Sequence, residues 1–262
     1  MNNPTGVSDP HPPETAPTAA VVLIGNELLS GRTVDANLPY LAKKLGEHGL
    51  TLAEARFVPD VVPQIARVVQ DYHQLYDYVF TTGGIGPTHD DVTAEAIAYA
   101  FDCSLIQHPQ ASAMLEAYYG KENLTASRLK MAFFPEGSTC IPNSESGAPG
   151  FFLENVYVLA GVPSIMRVML DGILPHIHRG PAFRSETVSC LTPESRLAQP
   201  LEALQQQYPH VSIGSYPFLH QGKVGTSLVA RHQDPVLLKE VKDHLEKLVY
   251  GLDDVPFERE ST

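Results

Sequence analysis

Apolar residues run without a break from Ala19 to Ile24. That is the pattern of a strand buried on both faces of a parallel sheet. Residues 25–31 follow as a turn region. Residues 35–48 then place Leu38, Leu41, Ala42 and Leu45 on one helical face. Pro39 sits near the start of that helix, where proline is tolerated, and Gly49 stops it. Residues 50–58 read as a second strand. Residues 62–72 read as a helix, with Ile65, Val68 and Val69 in one stripe and Pro63 in the first turn. Residues 78–82 read as a third strand and 94–100 as a helix. Strand alternating with helix predicts an α/β fold, a mostly parallel sheet covered on both faces.

Residues 110–134 read as helical, with Met114, Leu115 and Tyr118 before a break at Gly120 and a second piece from Leu124 to Met131. A loop rich in glycine and proline spans 142–150. Residues 151–153 and 156–160 read as a hairpin turning at Glu154 and Asn155. Gly161-Val162-Pro163 opens a helix over 164–174, with Ser164 as its expected cap. Composition shifts near Arg179-Gly180-Pro181. Beyond it the pattern gives strand 183–191, helix 194–208, strands 211–216 and 224–231, and helix 235–248 with Leu238, Val241, Leu245 and Leu248 on one face. This order reads as a small α+β domain. Residues 1–17 hold Pro4, Pro10, Pro12, Pro13 and Pro17 among small polar residues and read as a disordered tail. The expected division is therefore a tail at 1–17, an α/β domain at 18–178 and a small α+β domain at 179–255.

Composition narrows the partners. The 262 residues are 43% hydrophobic, enough for a real core. No apolar stretch is long enough to span a bilayer. The first Lys or Arg is Arg32, so no charged signal-peptide region is expected. Cys103, Cys140 and Cys190 are odd in number and far apart, which argues for reduced thiols and a cytoplasmic protein. The net charge of −12 disfavours a nucleic-acid surface but leaves room for a small phosphorylated ligand.

The densest chemistry lies at residues 80–93, Phe-Thr-Thr-Gly-Gly-Ile-Gly-Pro-Thr-His-Asp-Asp-Val-Thr. Gly83, Gly84 and Gly86 let the backbone turn tightly and approach a ligand. The helix that follows offers free N–H groups to a phosphate. Asp90 and Asp91 suit a hard divalent ion such as Mg²⁺, or serve only as a helix cap. Strand ends are where open α/β sheets bind ligands, so Glu27, just past the first strand, shares that rim. His89 reads as a variable loop position. Arg128 and Lys130 read as a solvated helix face. His176 and His178 lack a third metal ligand, and Cys190 and Ser195 lack a nucleophile's surroundings.

The string Thr-Thr-Gly-Gly-Ile-Gly-Pro-Thr-x-Asp-Asp-x-Thr resembles the signature of the molybdopterin-binding (MoaB/Mog) fold. More closely, it resembles the amino-terminal domain of the competence- and damage-inducible CinA family, with a similar domain in eukaryotic FAD synthase. Gly25-Asn26-Glu27-Leu28-Leu29-Ser30-Gly31 resembles that family's Gly-Asp-Glu-Leu-Leu-Ser-Gly, with Asn26 replacing aspartate. Residues 143–150 resemble its Asn-x-x-Gly-Thr-Ala-Pro-Gly loop, with Ser146-Gly147 replacing Gly-Thr. Residues 160–166 resemble its Pro-Gly-Val-Pro-x-Glu-Met, with Ala160 and Ile165 replacing proline and glutamate. The resemblance also implies that the region of Arg128 and Lys130 borders the ligand cleft, although a solvated face is the reading preferred for it. The resemblance implies a three-layer molybdopterin-binding-type domain and a homo-oligomer, dimer or trimer. It also implies a metal-dependent pyrophosphatase acting on ADP-ribose or FAD-type dinucleotides, with Mg²⁺, Mn²⁺ or Co²⁺ held by Asp90 and Asp91 and Glu27 as a further carboxylate. The other reading it leaves open is a pterin- or nucleotide-binding module, adenylating or without catalysis. The ligand-binding residues it implies are Gly25, Asn26, Thr82, Gly83, Gly84, Gly86, Pro87, Thr88, Asn143, Ser146, Gly147, Pro149 and Gly150. The carboxy-terminal amidase domain of full-length CinA is not in this sequence, so deamidation of nicotinamide mononucleotide is not expected.

Overall fold

The computed structural model describes residues 16–252 and 254–257. The chain divides after Gly180 into two units. In the first, β1 (Thr18–Ile24) lies between β2 (Thr51–Val58) and β3 (Tyr78–Thr82), parallel to both. β8 (Val156–Leu159) extends the parallel run beside β3, and β7 (Gly150–Leu153) and β6 (Thr139–Ile141) close that side antiparallel. The sheet order is β2-β1-β3-β8-β7-β6.

The period-two geometry of a strand sends alternate side chains of β1 into two cores. Ala19, Val21 and Leu23 pack with Leu41 and Leu45 of α2 (Asn37–Glu47) and with Met166, Met169 and Leu170 of α7 (Pro163–Ile173). Ala20, Val22 and Ile24 pack with Ile65, Val68 and Val69 of α3 (Val62–Leu75) and Ala96 and Ile97 of α4 (Thr93–Ala100). Each Val, Ile or Leu so buried contributes about 1.5–3 kcal/mol, which is why this strand carries no polar residue past Thr18.

Several elements differ from the periodicity. Asn26–Leu29 forms a short helix, α1, where a turn was expected. The stretch 110–134 breaks into α5 (Pro109–Tyr119), a 3₁₀ turn, α6 (Ala126–Lys130) and β5 (Phe133–Pro135), which pairs with β4 (Leu105–Gln107). Phe133 and Phe134 are thus strand residues, not the end of a helix. α7 begins at Pro163, with Val162 in the cap position and no side-chain cap, so Ser164 lies inside it. The α4 helix likewise has Val92 at its cap and no side-chain cap bond, which removes the cap role from Asp90 and Asp91. The expected tail lies outside the described residues as far as residue 15; Pro17 belongs to the fold, its carbonyl accepting from Thr51 N–H at 2.8 Å.

The second unit holds β9 (Arg184–Cys190), α8 (Glu194–Gln207), β10 (Ser212–His220), β11 (Lys223–His232) and α9 (Pro235–Tyr250). Its antiparallel sheet has the order β10-β11-β9. Leu238, Val241, Leu245 and Val249 of α9 are its buried stripe; Leu248, expected there, is only half-buried. Asp234 caps α9 by accepting from Val236 and Leu237 N–H. Among the described residues no helix is long and apolar enough to cross a membrane.

At the end of β3 the chain turns through Gly83 (φ +108°) and Gly84 (φ +67°). A Cβ on Gly83 would collide with the Ile24 carbonyl oxygen, and one on Gly84 with Thr93 Oγ1. Thr93, fully buried, donates its hydroxyl to Gly83 O at 2.8 Å and its N–H to Gly84 O at 3.0 Å. Gly84→Val should therefore destabilise the fold itself, by at least about 1–3 kcal/mol from left-handed strain alone. Urea unfolding of the variant measures it; an unchanged midpoint would contradict the close approach.

The outer strand β2 is held to α3 by Glu54, whose carboxylate accepts from Tyr72 Oη, Arg56 Nη2 (2.7 Å) and Tyr76 Oη (3.0 Å). The bond from Tyr72, then those from Arg56 and Tyr76, hold its carboxyl below the ordinary value. A carboxyl lowered by folding stabilises the native state above its unfolded pKa, about 4.3, and that contribution disappears as pH falls through the lower folded value. Glu54→Gln should flatten this part of the acid limb of the melting-temperature profile; an identical acid limb in both proteins would rule the contribution out.

Candidate functional site

The carboxyl ends of β1, β2, β3 and β8 share one rim because these strands run parallel. The loops leaving them line a cleft of about 660 Å³, in the size range of small-molecule sites. Gly83 N–H is bonded to Leu159 O (3.2 Å) and Thr88 N–H to Asp91 Oδ2 (2.8 Å). The N–H groups of Gly84, Ile85 and Gly86 have no acceptor among the described residues. Three consecutive free amides in a turn containing a left-handed glycine are the geometry that receives an anion.

Asp90 and Asp91 meet at one hydroxyl. Thr88 Oγ1 lies 2.6 Å from Asp90 Oδ1 and also contacts Asp91 Oδ2. A hydroxyl has one proton, so it cannot donate fully to both carboxylates. The Thr88 hydroxyl is also the main reason the exposed Asp90 carboxyl lies below its ordinary value. Lys130 fixes this loop from the side, its Nζ donating to the carbonyls of Thr88 and of Asp91 (2.9 Å). His89 is exposed, with its ring 4.0 Å from Asp90 Oδ1.

Glu27 folds back over Gly25, where a Cβ would meet its carboxylate at 2.5 Å, and both line the cleft. Among the described residues no three of His, Cys, Asp and Glu gather into one ligand set. The donors that do converge, two carboxylates and a hydroxyl, fit a hard ion that takes its remaining ligands from phosphate and water.

Pro87 and Ser146 also line the cleft. Other sequence candidates turn inward. Thr82 is buried, its hydroxyl donating to Ala160 O (2.8 Å) and accepting from Asn37 Nδ2 (2.9 Å). Asn143 is buried and closes its own loop, donating to Ser146 Oγ (2.6 Å) and Ala148 O (3.0 Å) and accepting from Glu145 N–H (2.8 Å). Gly147 is required by Tyr118, against which a Cβ would collide, and Gly150 by the Val158 carbonyl. Pro149 is buried. Asn26 is exposed, its N–H donating to Asp60 Oδ2 at 2.8 Å.

Sequence reasoning missed Asp60, Asn37 and Tyr119, and for Arg128 it preferred a solvated face over the cleft border that the resemblance implied. Asp60 stands two residues past β2, on the rim that the sheet order places beside the end of β1. Asn37 lies one turn before Leu41 and Leu45, a polar residue at the head of an apolar stripe, and its Nδ2 also donates to Gly161 O (2.7 Å). Arg128, expected on a solvated face, lines the cleft with Tyr119.

The family described as "probable molybdopterin binding domain" matches residues 20–179, and the FAD synthase middle domain matches residues 182–251. A protein of Archaeoglobus fulgidus is 37% identical over 197 residues, covering 75% of this chain and 84% of its own length. One from Thermococcus kodakarensis is 33% identical over 243 residues, covering 87% of this chain and 96% of its own. Among solved structures, CinA of Thermoplasma acidophilum, a protein of unknown function, is 34% identical with a TM-score of 0.59, over 63% of this chain and 100% of that one. The glycine turn, the paired aspartates and the sheet they sit on thus place this chain in the molybdopterin-binding-domain (MoaB/Mog-like) family, as a CinA-like member.

Proposed function

We propose that the cleft binds the diphosphate of a nucleotide of the ADP-ribose or FAD type and hydrolyses it with the help of a divalent ion. The observation that carries the reading is the row of free N–H groups at Gly84, Ile85 and Gly86, beside two carboxylates that converge on Thr88. The amides orient phosphate oxygens. Asp90 and Asp91 would hold Mg²⁺, Mn²⁺ or Co²⁺, which when bound supplies charge neutralisation and a more acidic water. Glu27 is the carboxylate left to accept the proton of the attacking water. Water adds to one phosphorus, the bridging P–O bond breaks, and two phosphate monoesters leave. Assembly as a dimer or trimer belongs to the same proposal.

A second reading is a pterin-phosphate module without hydrolysis. It is favoured by the engagement of Asp91 Oδ2 in closing its own loop, through Thr88 N–H. The two readings separate in an assay of ADP-ribose, FAD and NAD against each of the three ions, with mass spectrometry of any co-purified ligand. No turnover together with a bound pterin phosphate selects the second.

Asp91→Asn should keep an acceptor for Thr88 N–H while removing the charge. On the hydrolytic reading it lowers metal-dependent turnover by about a hundredfold or more, since each ~1.4 kcal/mol of lost transition-state stabilisation is about tenfold in rate. Wild-type turnover in a folded variant would exclude a metal role for Asp91.

Gly86→Ala is the milder test of the loop. Gly86 has no left-handed φ, and an added Cβ would stand 2.7 Å from Asp91 Oδ2, a side-chain tip that can move. The variant should keep its melting temperature and lose binding of ADP-ribose by calorimetry. Full affinity would move the anion site elsewhere.

A further inference from the structure

One feature of the cleft plays no part in the chemistry above. The Arg128 guanidinium lies over the Tyr119 ring, 4.3 Å from its centroid, and both line the cleft. The pair is built rather than loose. Arg128 Nη1 donates to Asn123 O at 2.6 Å, and its N–H is received by Thr125 Oγ1, the cap of α6. The Tyr119 ring is set edge-on against Tyr118, at 4.9 Å and 84°. Tyr118 in turn donates to Glu145 O (3.2 Å), in the loop that brings Ser146 to the cleft. None of the ion pairs among the described residues involves Arg128. Its charge therefore has no carboxylate partner, in a cleft also lined by Glu27, Asp60, Asp90 and Asp91.

A guanidinium held over a tyrosine ring offers a planar, polarisable surface, and such surfaces receive flat heteroaromatic rings. Met131 and Ile165 add apolar lining in the same cleft, and the unbranched Met131 is the adaptable one. Two residues along α6, Lys130 grips the loop that carries both aspartates, so one short element holds the platform and the carboxylates together.

We infer that Tyr119 and Arg128 form a ring-stacking subsite that determines specificity by receiving the planar nitrogen heterocycle of the phosphorylated ligand proposed above. This rests on the proposed anion site at Gly84–Gly86 for the phosphate end alone. Adenine, isoalloxazine and pterin share the required chemistry, and which of them is bound is read by experiment. The subsite selects the ligand; the loop and the aspartates act on its phosphates.

The test is calorimetric binding of ADP-ribose, FMN, neopterin phosphate and ribose 5-phosphate, which has no heterocycle, to wild type, Tyr119→Ala, Tyr119→Phe and Arg128→Met. Circular dichroism verifies folding. Tyr119→Ala and Arg128→Met should weaken the preferred ring-bearing ligand by about tenfold to a hundredfold, the range for loss of one base–aromatic stack. Tyr119→Phe should bind as wild type does, and ribose 5-phosphate should be unaffected throughout. Equal losses for ribose 5-phosphate would make Arg128 a phosphate contact and overturn the subsite, as would no loss for any ligand. Wild type that hydrolyses diphosphates without preferring a ring-bearing ligand would sink the subsite and leave the hydrolytic reading standing. Ring-dependent binding lost in Tyr119→Ala, without hydrolysis of any diphosphate, would do the reverse.

Discussion

The backbone of Gly83 lies so near the carbonyl oxygen of Ile24 that no side chain fits between them. This close approach of the ends of β1 and β3 governs the rim. Gly161, at the end of β8, crowds the same point, its Cβ position 3.2 Å from Gly83 Cα. Strands whose ends crowd together need their polar groups satisfied locally. Thr82, Asn37 and Thr93 do so, tying the turn to Ala160, Gly161 and Gly83. With those bonds made inside, the next three amides remain available to the cleft.

The electrostatics of the cleft follow from the loops that reach it. Glu27, Asp60, Asp90 and Asp91 line it, and among the described residues Arg128 is the one Lys or Arg in its lining. Such a cleft repels a phosphate approaching alone, since like charges a few ångströms apart cost several kcal/mol at the dielectric of a protein surface. On the proposed reading, a divalent ion offsets the carboxylates at the phosphate end and Arg128 meets the ligand at its ring. Lys130 makes a different contribution: its charge is directed at two carbonyls, where it stiffens the loop.

The two units differ in how their polar groups are arranged. The first gathers glycines and carboxylates on loops at one end of a parallel sheet, where the ends of four strands share a rim. The second is a three-stranded antiparallel sheet covered by two helices. Its polar contacts include Thr192 with Asp254, Ser189 with Ser227, and Tyr208 with Glu240. FAD synthase's middle domain matches this unit.

Much of the fold was legible in the sequence because its signals are local. The unbroken apolar run of β1, the stripes of α2 and α3 and the glycines after β3 follow from strand and helix periods and from the space that only glycine leaves. Glu27, Gly83, Gly84, Gly86, Asp90 and Asp91 could be brought to one rim from the order of elements alone, since parallel strands put their carboxyl ends on one side. The three-residue strands β4, β5 and β6 could not be read, because so short a segment has too few alternations to stand out beside helical neighbours. Asp60 needed the sheet order, which makes β2 the neighbour of β1. Asn143 and Thr82 look like ligand contacts in the sequence, but the folded path of the chain turns their polar atoms onto backbone groups and side chains nearby. Arg128 needed the tertiary structure most: a five-residue helix shows no face by periodicity, and only its packing beside Tyr119 directs the guanidinium into the cleft.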